Sequence, residues 1–291
     1  MSRITIDKEA CARCGLCTRV CARGILQRKD ESAVPTVVRP STCFACGHCV
    51  AVCPTGAISH PSYPEGTVRP ISKDLLPGYE QVLELVRARR SRRVYDGRSV
   101  DRADVEKVIE AGRFAPTGHN AQSVEYVVVQ DKDRLRRVAE LTVEALLKMM
   151  RPFKSPIGRM VMRPVVGARH VALYAGMAAE TDGLVEIFRG GTDVILHDAP
   201  TLLLFASDTV RGFPSADANL ALQNATLAAE ALGLGSFYTG FVVAACSRDR
   251  RIPEFLGLPE THKVFAGMAM GYPKVTFSKW PERKKANVSW M

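Results

Sequence analysis

The stretch Cys11-Ala12-Arg13-Cys14-Gly15-Leu16-Cys17-Thr18-Arg19-Val20-Cys21 is written twice in this chain. Its second copy, Cys43-Phe44-Ala45-Cys46-Gly47-His48-Cys49-Val50-Ala51-Val52-Cys53, follows 32 residues later. Both read C-x2-C-x2-C-x3-C, and Gly15 maps onto Gly47 and Gly24 onto Gly56 at the same offset, so the segment is an internal duplication. The two runs hold eight of the nine cysteines. A disulfide framework needs an exporting context, and Met1–Asp7 contains no apolar core of signal-peptide length. A zinc site takes four ligands in two pairs, which leaves half of each run unexplained. The ninth cysteine, Cys246, lies in an apolar stretch and reads as a small buried side chain.

The spacing is one that thiolate ligands of iron–sulfur clusters use, and the segment resembles the bacterial ferredoxins that carry two [4Fe–4S] clusters. In that pattern one run supplies three corners of a cubane and the other run supplies the fourth. The resemblance therefore assigns cluster one to Cys11, Cys14, Cys17 and Cys53, and cluster two to Cys43, Cys46, Cys49 and Cys21. Cys53 is followed by Pro54, as the pattern expects, whereas Cys21 is followed by Ala22, which loosens the turn there. His48 sits between ligands and reads as loop packing. So short a segment has too little apolar surface to fold alone, so the clusters are its expected core.

The charge balance of +10 invites a nucleic-acid reading, which the clusters weaken. Each cubane with four thiolates carries about −2, which brings a loaded chain to about +6. The arginines are spread along the chain, with no run dense enough to track a phosphate backbone. No stretch reaches transmembrane length without polar interruption; the nearest, Ala218 to Cys246, contains Asn219, Gln223, Asn224 and Glu230. The expectation is a cytoplasmic protein with neither nucleic acid nor membrane among its partners.

A chain of 291 residues admits one small domain and one of ordinary size. The expected divisions are a cluster domain over 1–60, a linker over 61–78 and a larger domain over 79–291. Arg3–Asp7 and Pro35–Arg39 read as short strands around the cysteine loops. Pro54, Pro61, Pro64, Pro70 and Pro77 punctuate a stretch without periodicity, which reads as a stiff extended linker. Helical patterning begins near Tyr79, with Val82, Leu83, Leu85 and Val86 as an apolar stripe. A second helix opens at Asp101, a plausible N-cap, and carries Val105, Val108 and Ile109. Val124–Val129 reads as a strand and Asp131–Met150 as a helix. Pro152, Pro156 and Pro164 argue against one continuous helix over 151–190. Thr201–Ala206 reads as a buried strand, Asn219–Leu232 as a central helix buried on most sides, and Lys263–Gly271 as another strand. Helices and strands mix without a regular βαβ repeat, so the fold class is α+β rather than a doubly wound sheet.

Three segments of the larger domain carry chemistry. Arg89-Arg90-Ser91-Arg92-Arg93 packs four guanidinium groups and a hydroxyl into five residues, an anion-binding set. Ala115-Pro116-Thr117-Gly118-His119-Asn120-Ala121-Gln122 combines small residues with amides that can pair with a heterocycle edge. Gly233-Leu234-Gly235-Ser236-Phe237-Tyr238-Thr239-Gly240-Phe241 is a glycine-rich turn whose spacing is not the dinucleotide fingerprint G-x-G-x-x-G.

In this order, and with the C-terminal run Met270-Gly271-Tyr272-Pro273 followed by Arg283, these segments resemble the FMN-dependent nitroreductase family from about Arg89 to Arg283. The whole chain resembles a ferredoxin–nitroreductase fusion. The resemblance implies a nitroreductase-like α+β domain with a central sheet flanked by helices, assembled as a homodimer with FMN at the subunit interface. It implies that Arg89, Arg90, Ser91 and Arg93 hold the phosphate and ribityl chain, with Arg283, and secondarily Lys279, closing from the C-terminal segment. Pro116, Thr117 and Asn120 would reach the flavin from the partner subunit, and Thr239 and Gly240 would present backbone amides near the N5 edge. Many relatives carry an acidic residue where this chain has Thr239, and a proline where it has Ser123. Residues 151–190 fall where relatives shape the substrate pocket.

His119 lies inside a flavin-contacting motif and is the weak candidate for a catalytic proton donor; His197 is read as structural. Tyr238 is either a stacking residue or a core aromatic. The implied activity passes electrons from a reduced ferredoxin through two [4Fe–4S] clusters to FMN, and on to a nitroaromatic, a quinone or an activated alkene. The alternatives are an NAD(P)H-oxidising module that feeds the clusters, a non-catalytic redox sensor, and specialised chemistry such as reductive dehalogenation or flavin breakdown.

Overall fold

The computed structural model describes residues 4–210 and 212–291, so the expected strand start at Arg3 lies outside the described residues. Contacts divide the described chain into two units. The first comprises the chain through Pro77 together with Gly118–Ala121; the second comprises Gly78–Thr117 and the chain from Gln122 onward.

The first unit repeats one small pattern twice. Strand β1 (Thr5–Ile6) is followed by α1 (Leu16–Val20) and β2 (Leu26–Gln27); β3 (Thr36–Val37) is followed by α2 (His48–Val52) and β4 (Ile58–Ser59). Pairing is crossed and antiparallel, β1 with β4 and β2 with β3, so each two-stranded sheet takes one strand from each repeat. The apolar core is small: Cys17, Leu26, Val50 and Ile58 are buried, with Ile4, Ile6 and Val37 packed against them. The proline-rich stretch is not all linker. His60 and Tyr63 form an isolated antiparallel bridge, His60 is buried, and Tyr63 joins the small core.

The second unit is built on four antiparallel strands in the order β5-β6-β8-β7: β5 (Glu125–Val129), β6 (Thr201–Asp208), β7 (Gly235–Tyr238) and β8 (His262–Gly271). Alternation along β6 decides both faces. Leu202, Leu204 and Ala206 join a core with α5 (Lys132–Met150) and α9 (Gly240–Arg248); Leu203 and Phe205 join another with α4 (Arg102–Arg113) and α8 (Pro214–Ala231). Asp131 caps α5 by accepting a hydrogen bond from the Arg134 amide at 2.8 Å. Asp101 occupies the N-cap of α4 but makes no such side-chain bond. A register shift between Phe205 and Ala206 leaves Phe265 unpaired on β8.

Over 151–190 the chain is, as expected, not one continuous helix: a short turn at Arg151–Lys154 is followed by α6 (Pro156–Val166) and α7 (Ala168–Arg189). Pro156 opens α6 at a position where its missing N–H costs nothing, Pro164 is accommodated inside it, and the break comes at Gly167 with φ 84°. Helix α8 begins five residues before the expected start, with Pro214 in its first turn, and it buries one face only: Asn219, Leu220 and Gln223 are exposed. The glycine-rich segment is mostly not a turn, because it holds all of β7 and the start of α9. Helix α3 (Tyr79–Ala88) forms where expected, but none of its residues is buried, and Val82 and Val86 stand exposed. The last helix, α10 (Arg251–Phe255), precedes β8.

Candidate cofactor sites

The cysteines converge into two sets, and each set draws on both repeats. One concavity is lined by Cys11, Cys14, Cys17 and Cys53; a second is lined by Cys21, Cys43, Cys46 and Cys49. Crossed strand pairing explains the exchange. Cys21 is the C-cap of α1 and Cys53 that of α2, so the last cysteine of each run stands at the far end of the helix whose first turn carries the third. Among the described residues no three Cys, His, Asp or Glu side chains converge tightly enough for a single metal ion. Four thiols ringing an open concavity fit a polynuclear cluster instead. All eight are unpaired as disulfides.

Electrostatics separates the ligands into types. Burial pushes Cys49 up to about 11, with Cys46 and Cys43 adding to the rise, and burial likewise raises Cys17, with Cys53 and Cys11 contributing. The two exchanged cysteines go the other way. Burial raises Cys21, but the backbone N–H groups of Leu26, Ile25, Arg23 and Gly24 outweigh it and hold the thiol below its ordinary value. For Cys53 the Thr55 hydroxyl and the amides of Thr55, Ala57 and Gly56 outweigh burial in the same way. Each exchanged sulfur thus lies in a nest of donors that favours the thiolate, the form that binds iron.

Sequence reasoning missed His60 and Tyr63. His60 Nδ1 accepts from the Ser62 amide at 3.1 Å, so the ring proton of the neutral tautomer is on Nε2, which faces Cys43 Sγ at 3.5 Å. Burial lowers the His60 pKa, which favours the neutral ring. The Tyr63 hydroxyl donates to the Ala45 carbonyl at 2.5 Å, and the same carbonyl accepts from Asn120 Nδ2 at 2.7 Å. Extending the 32-residue offset through the end of the duplication would have found His60, because it places it opposite Arg28.

Of the second-motif residues, Gly118–Ala121 belong to the first unit. His119 and Asn120 both have left-handed backbones, with φ 54°, and the His119 ring lies 4.8 Å from that of Phe44. His119 is thus packed against an aromatic side chain of a cysteine loop, and the Asn120 amide is engaged with Ala45 rather than held free for a flavin. Thr117 Oγ1 accepts from the Gln122 amide at 3.1 Å, and Pro116 is exposed.

In the second unit the arginine segment leaves α3 and runs beside β7. Ser91 bridges Ser236, and the Arg92 amide donates to the Ser236 carbonyl at 3.0 Å. Arg92 forms a partly buried ion pair with Glu230 at 2.5 Å, which makes it structural. Among the described residues Arg89, Arg90 and Arg93 pair with no carboxylate, and Arg93 lies over the Phe237 ring at 5.2 Å. Unpaired guanidinium groups beside an exposed Ser91 hydroxyl fit a phosphate. One expected contact differs. Thr239 cannot present its amide, because that N–H donates to the Gly267 carbonyl at 2.9 Å, and its buried hydroxyl has no partner. Arg283 lies in an exposed C-terminal segment, and its backbone N–H bonds to Glu282 at 2.8 Å. Aromatics of the same segment meet the arginines: Arg87 lies over Trp280 at 4.4 Å and Arg92 over Phe277 at 5.8 Å. Gly240 opens α9, whose first N–H groups have no partner within the helix. Tyr238 is 46% exposed and so is not a core aromatic. Cys246 is buried, and burial pushes its thiol up to about 12. His197 has φ 54° and meets Phe237 edge to face at 5.3 Å.

Comparison with known proteins sets these sites in context. Residues 86–272 match the model of the nitroreductase family, and residues 6–57 match that of the 4Fe-4S dicluster domain. A protein of Archaeoglobus fulgidus that carries the provisional name NADH dehydrogenase/NAD(P)H nitroreductase is 28% identical over 195 residues, which is 67% of this chain and 87% of the relative. The FMN reductase [NAD(P)H] of Bacillus subtilis is 27% identical over 205 residues, 69% of each chain. A nitroreductase with bound FMN from Bacteroides fragilis has the same fold, with a TM-score of 0.54 and 24% identity over 72% of this chain and 98% of that one. No helix among the described residues is long and apolar enough to cross a membrane.

Proposed function

The chain belongs to the nitroreductase family and carries a 4Fe-4S dicluster domain ahead of it, and from that premise we propose an FMN-dependent oxidoreductase whose two [4Fe–4S] clusters exchange electrons with the flavin. The observation that carries this reading is the convergence of the duplicated cysteines into two sets, each completed by a thiol from the other repeat. When bound, the clusters supply single-electron steps, and FMN supplies the link between these and two-electron reduction of an organic acceptor.

The chain's own residues do the holding. Cys11, Cys14, Cys17 and Cys53 would hold one cluster, and Cys21, Cys43, Cys46 and Cys49 the other. Hydrogen-bond donors around Cys21 and Cys53 lower those thiols and so favour the thiolate form that binds iron. Arg89, Arg90, Ser91 and Arg93 would hold the FMN phosphate by charge-assisted hydrogen bonds, with Arg92 fixed on Glu230 to set the backbone beneath them. Gly240 at the start of α9 supplies an amide for the ring, and Pro116 and Thr117 remain candidates from a partner subunit. A homodimer is supported by the apolar face left open on α6, where Ile157, Met160, Val161 and Val165 are all more than half exposed, and by the exposed Val82 and Val86 of α3. The electron donor in this reading is a reduced ferredoxin, and the acceptor is a nitroaromatic, a quinone or an activated alkene.

A second reading has NAD(P)H as the electron source, which the names of the relatives favour, and has the clusters pass electrons outward. One anaerobic experiment separates the two. Iron-reconstituted, FMN-loaded protein is titrated in turn with reduced ferredoxin and with NAD(P)H, then mixed with a nitroaromatic. Flavin absorbance lost with ferredoxin alone and restored by the nitroaromatic supports the first reading. Bleaching by NAD(P)H ahead of cluster reduction supports the second, and a flavin that responds to neither rejects both.

A further inference from the structure

The two cysteine loops share a backbone but not their outer partners. Arg13 and Ala45, one duplication apart, are both left-handed, with φ 54° and 51°. Arg28 and His60 occupy the same place in the two repeats. Arg28 turns outward to loop carbonyls, donating to Glu31 O at 3.0 Å and Arg13 O at 3.5 Å. His60 turns inward. It is 7% exposed, its Nδ1 is occupied by the Ser62 amide, and its Nε2–H faces Cys43 Sγ at 3.5 Å. The Cys43–Cys46 loop is further fixed from outside, because the Ala45 carbonyl accepts from both Tyr63 and Asn120. Cys43 Sγ also accepts from the Ala45 amide at 3.3 Å, so the imidazole is a second donor to this sulfur.

We propose that His60 is a positioning and tuning residue for cluster two, its Nε2–H donating to Cys43 Sγ and raising that cluster's reduction potential, while Arg28, at the same place in the first repeat, is turned to loop carbonyls. The inference rests on the cluster assignment proposed above. Reduction adds negative charge that spreads onto the ligand sulfurs, and a donor aimed at a sulfur stabilises that charge. Burial of the ring strengthens the effect, because a hydrogen bond made away from bulk water is electrostatically stronger. Tyr63 and Asn120 contribute by holding the loop so that Cys43 stays under the ring.

The test is a potentiometric titration of the reconstituted full chain followed by EPR, on the wild type, His60→Leu and His60→Gln, with iron and sulfide counted in each. The signal lost in Cys46→Ser identifies cluster two. His60→Leu is expected to move the cluster-two midpoint negative and leave cluster one unchanged; His60→Gln, which keeps an N–H donor, should move it less. An unchanged midpoint in a fully loaded His60→Leu protein, or equal shifts in both clusters, overturns the proposal. If the leucine variant loses iron, pulsed EPR of wild-type protein labelled with 15N-histidine decides. A histidine coupling at cluster two that disappears in His60→Gln supports the contact, and its absence refutes it. A wild type that binds no cubanes at all would defeat the cluster assignment itself, an outcome distinct from an unchanged midpoint.

Discussion

The loops Arg13-Cys14-Gly15 and Ala45-Cys46-Gly47 have the same backbone and different guards. Both glycines are left-handed, with φ 71° and 76°, and each is covered so closely that a Cβ would collide. At Gly15 the collision is with the Arg28 guanidinium, 2.5 Å away; at Gly47 it is with the Tyr63 phenol ring, 2.8 Å away. One guard is the mobile, charged end of a long side chain. The other is a neutral ring pinned by its hydroxyl to Ala45, beside an Asn120 that pins the same carbonyl. The duplication thus kept the geometry that cysteine ligation needs, and the two loops diverged in what surrounds them.

The largest test of this comparison is ligand exchange between repeats. Cys53→Ser should abolish cluster one, although Cys53 belongs to the second run, and Cys21→Ser should abolish cluster two. Each should lower bound iron by about half, with opposite EPR signals surviving, since a cluster lacking a thiolate is lost with its share of the folding energy. Loss of the cluster whose other three ligands lie in the same run would break the crossed arrangement. Next in size are the glycines. Gly15→Ala and Gly47→Ala both pay about 1–2 kcal/mol for the left-handed backbone. Only the second also meets a ring that cannot swing away, so Gly47→Ala should release iron to a chelator faster than Gly15→Ala. Equal release rates would mean that the two guards are equivalent.

A smaller effect is expected from the clasp on Ala45. Tyr63→Phe and Asn120→Ala should each cost about 1 kcal/mol in chelator-induced unfolding of the first unit. Their double mutant should depart from additivity, because they share one acceptor. The same substitutions should leave cluster one's iron release unchanged. The smallest effect lies in the second unit. Burial, reinforced by Arg93, holds the His197 pKa below its ordinary 6.5. Between the folded value and 6.5 the unfolded chain therefore binds more protons, so stability rises with pH through that window and is lost as acid enters it. His197→Asn, which tolerates a left-handed backbone, should flatten the slope in thermal melts of the second unit without altering either cluster's iron release. A slope that persists in the variant would assign it to another group.

The sequence carried much of this architecture because the strongest signals were local. Cysteine spacing needs no tertiary information, and neither does the uninterrupted apolar run Thr201–Ala206 or the helical run Asp131–Met150. What stayed hidden depended on partners far along the chain. Alpha-helix α7 has its apolar residues scattered around it, Leu173, Met177 and Ile187 among those exposed, so no stripe marked it. Strand β7 is four residues long and lies inside a glycine-rich run that reads as a turn. The Thr239 amide was misjudged because its acceptor, Gly267, is on a strand that no local pattern links to it. His60 and Tyr63 were passed over because prolines flank them and proline-rich chain reads as spacer. Asn120 was legible as a functional amide, but its partner Ala45 lies 75 residues away.

The measurement that bears most directly on the account is anaerobic stopped-flow spectroscopy of the fully loaded protein, with the clusters reduced first by a one-electron donor. The account predicts that cluster absorbance recovers as flavin absorbance falls, at a rate independent of protein concentration, and that Cys21→Ser or Cys53→Ser slows the exchange. Clusters that stay reduced beside an oxidised flavin, or a rate that scales with protein concentration, would contradict it.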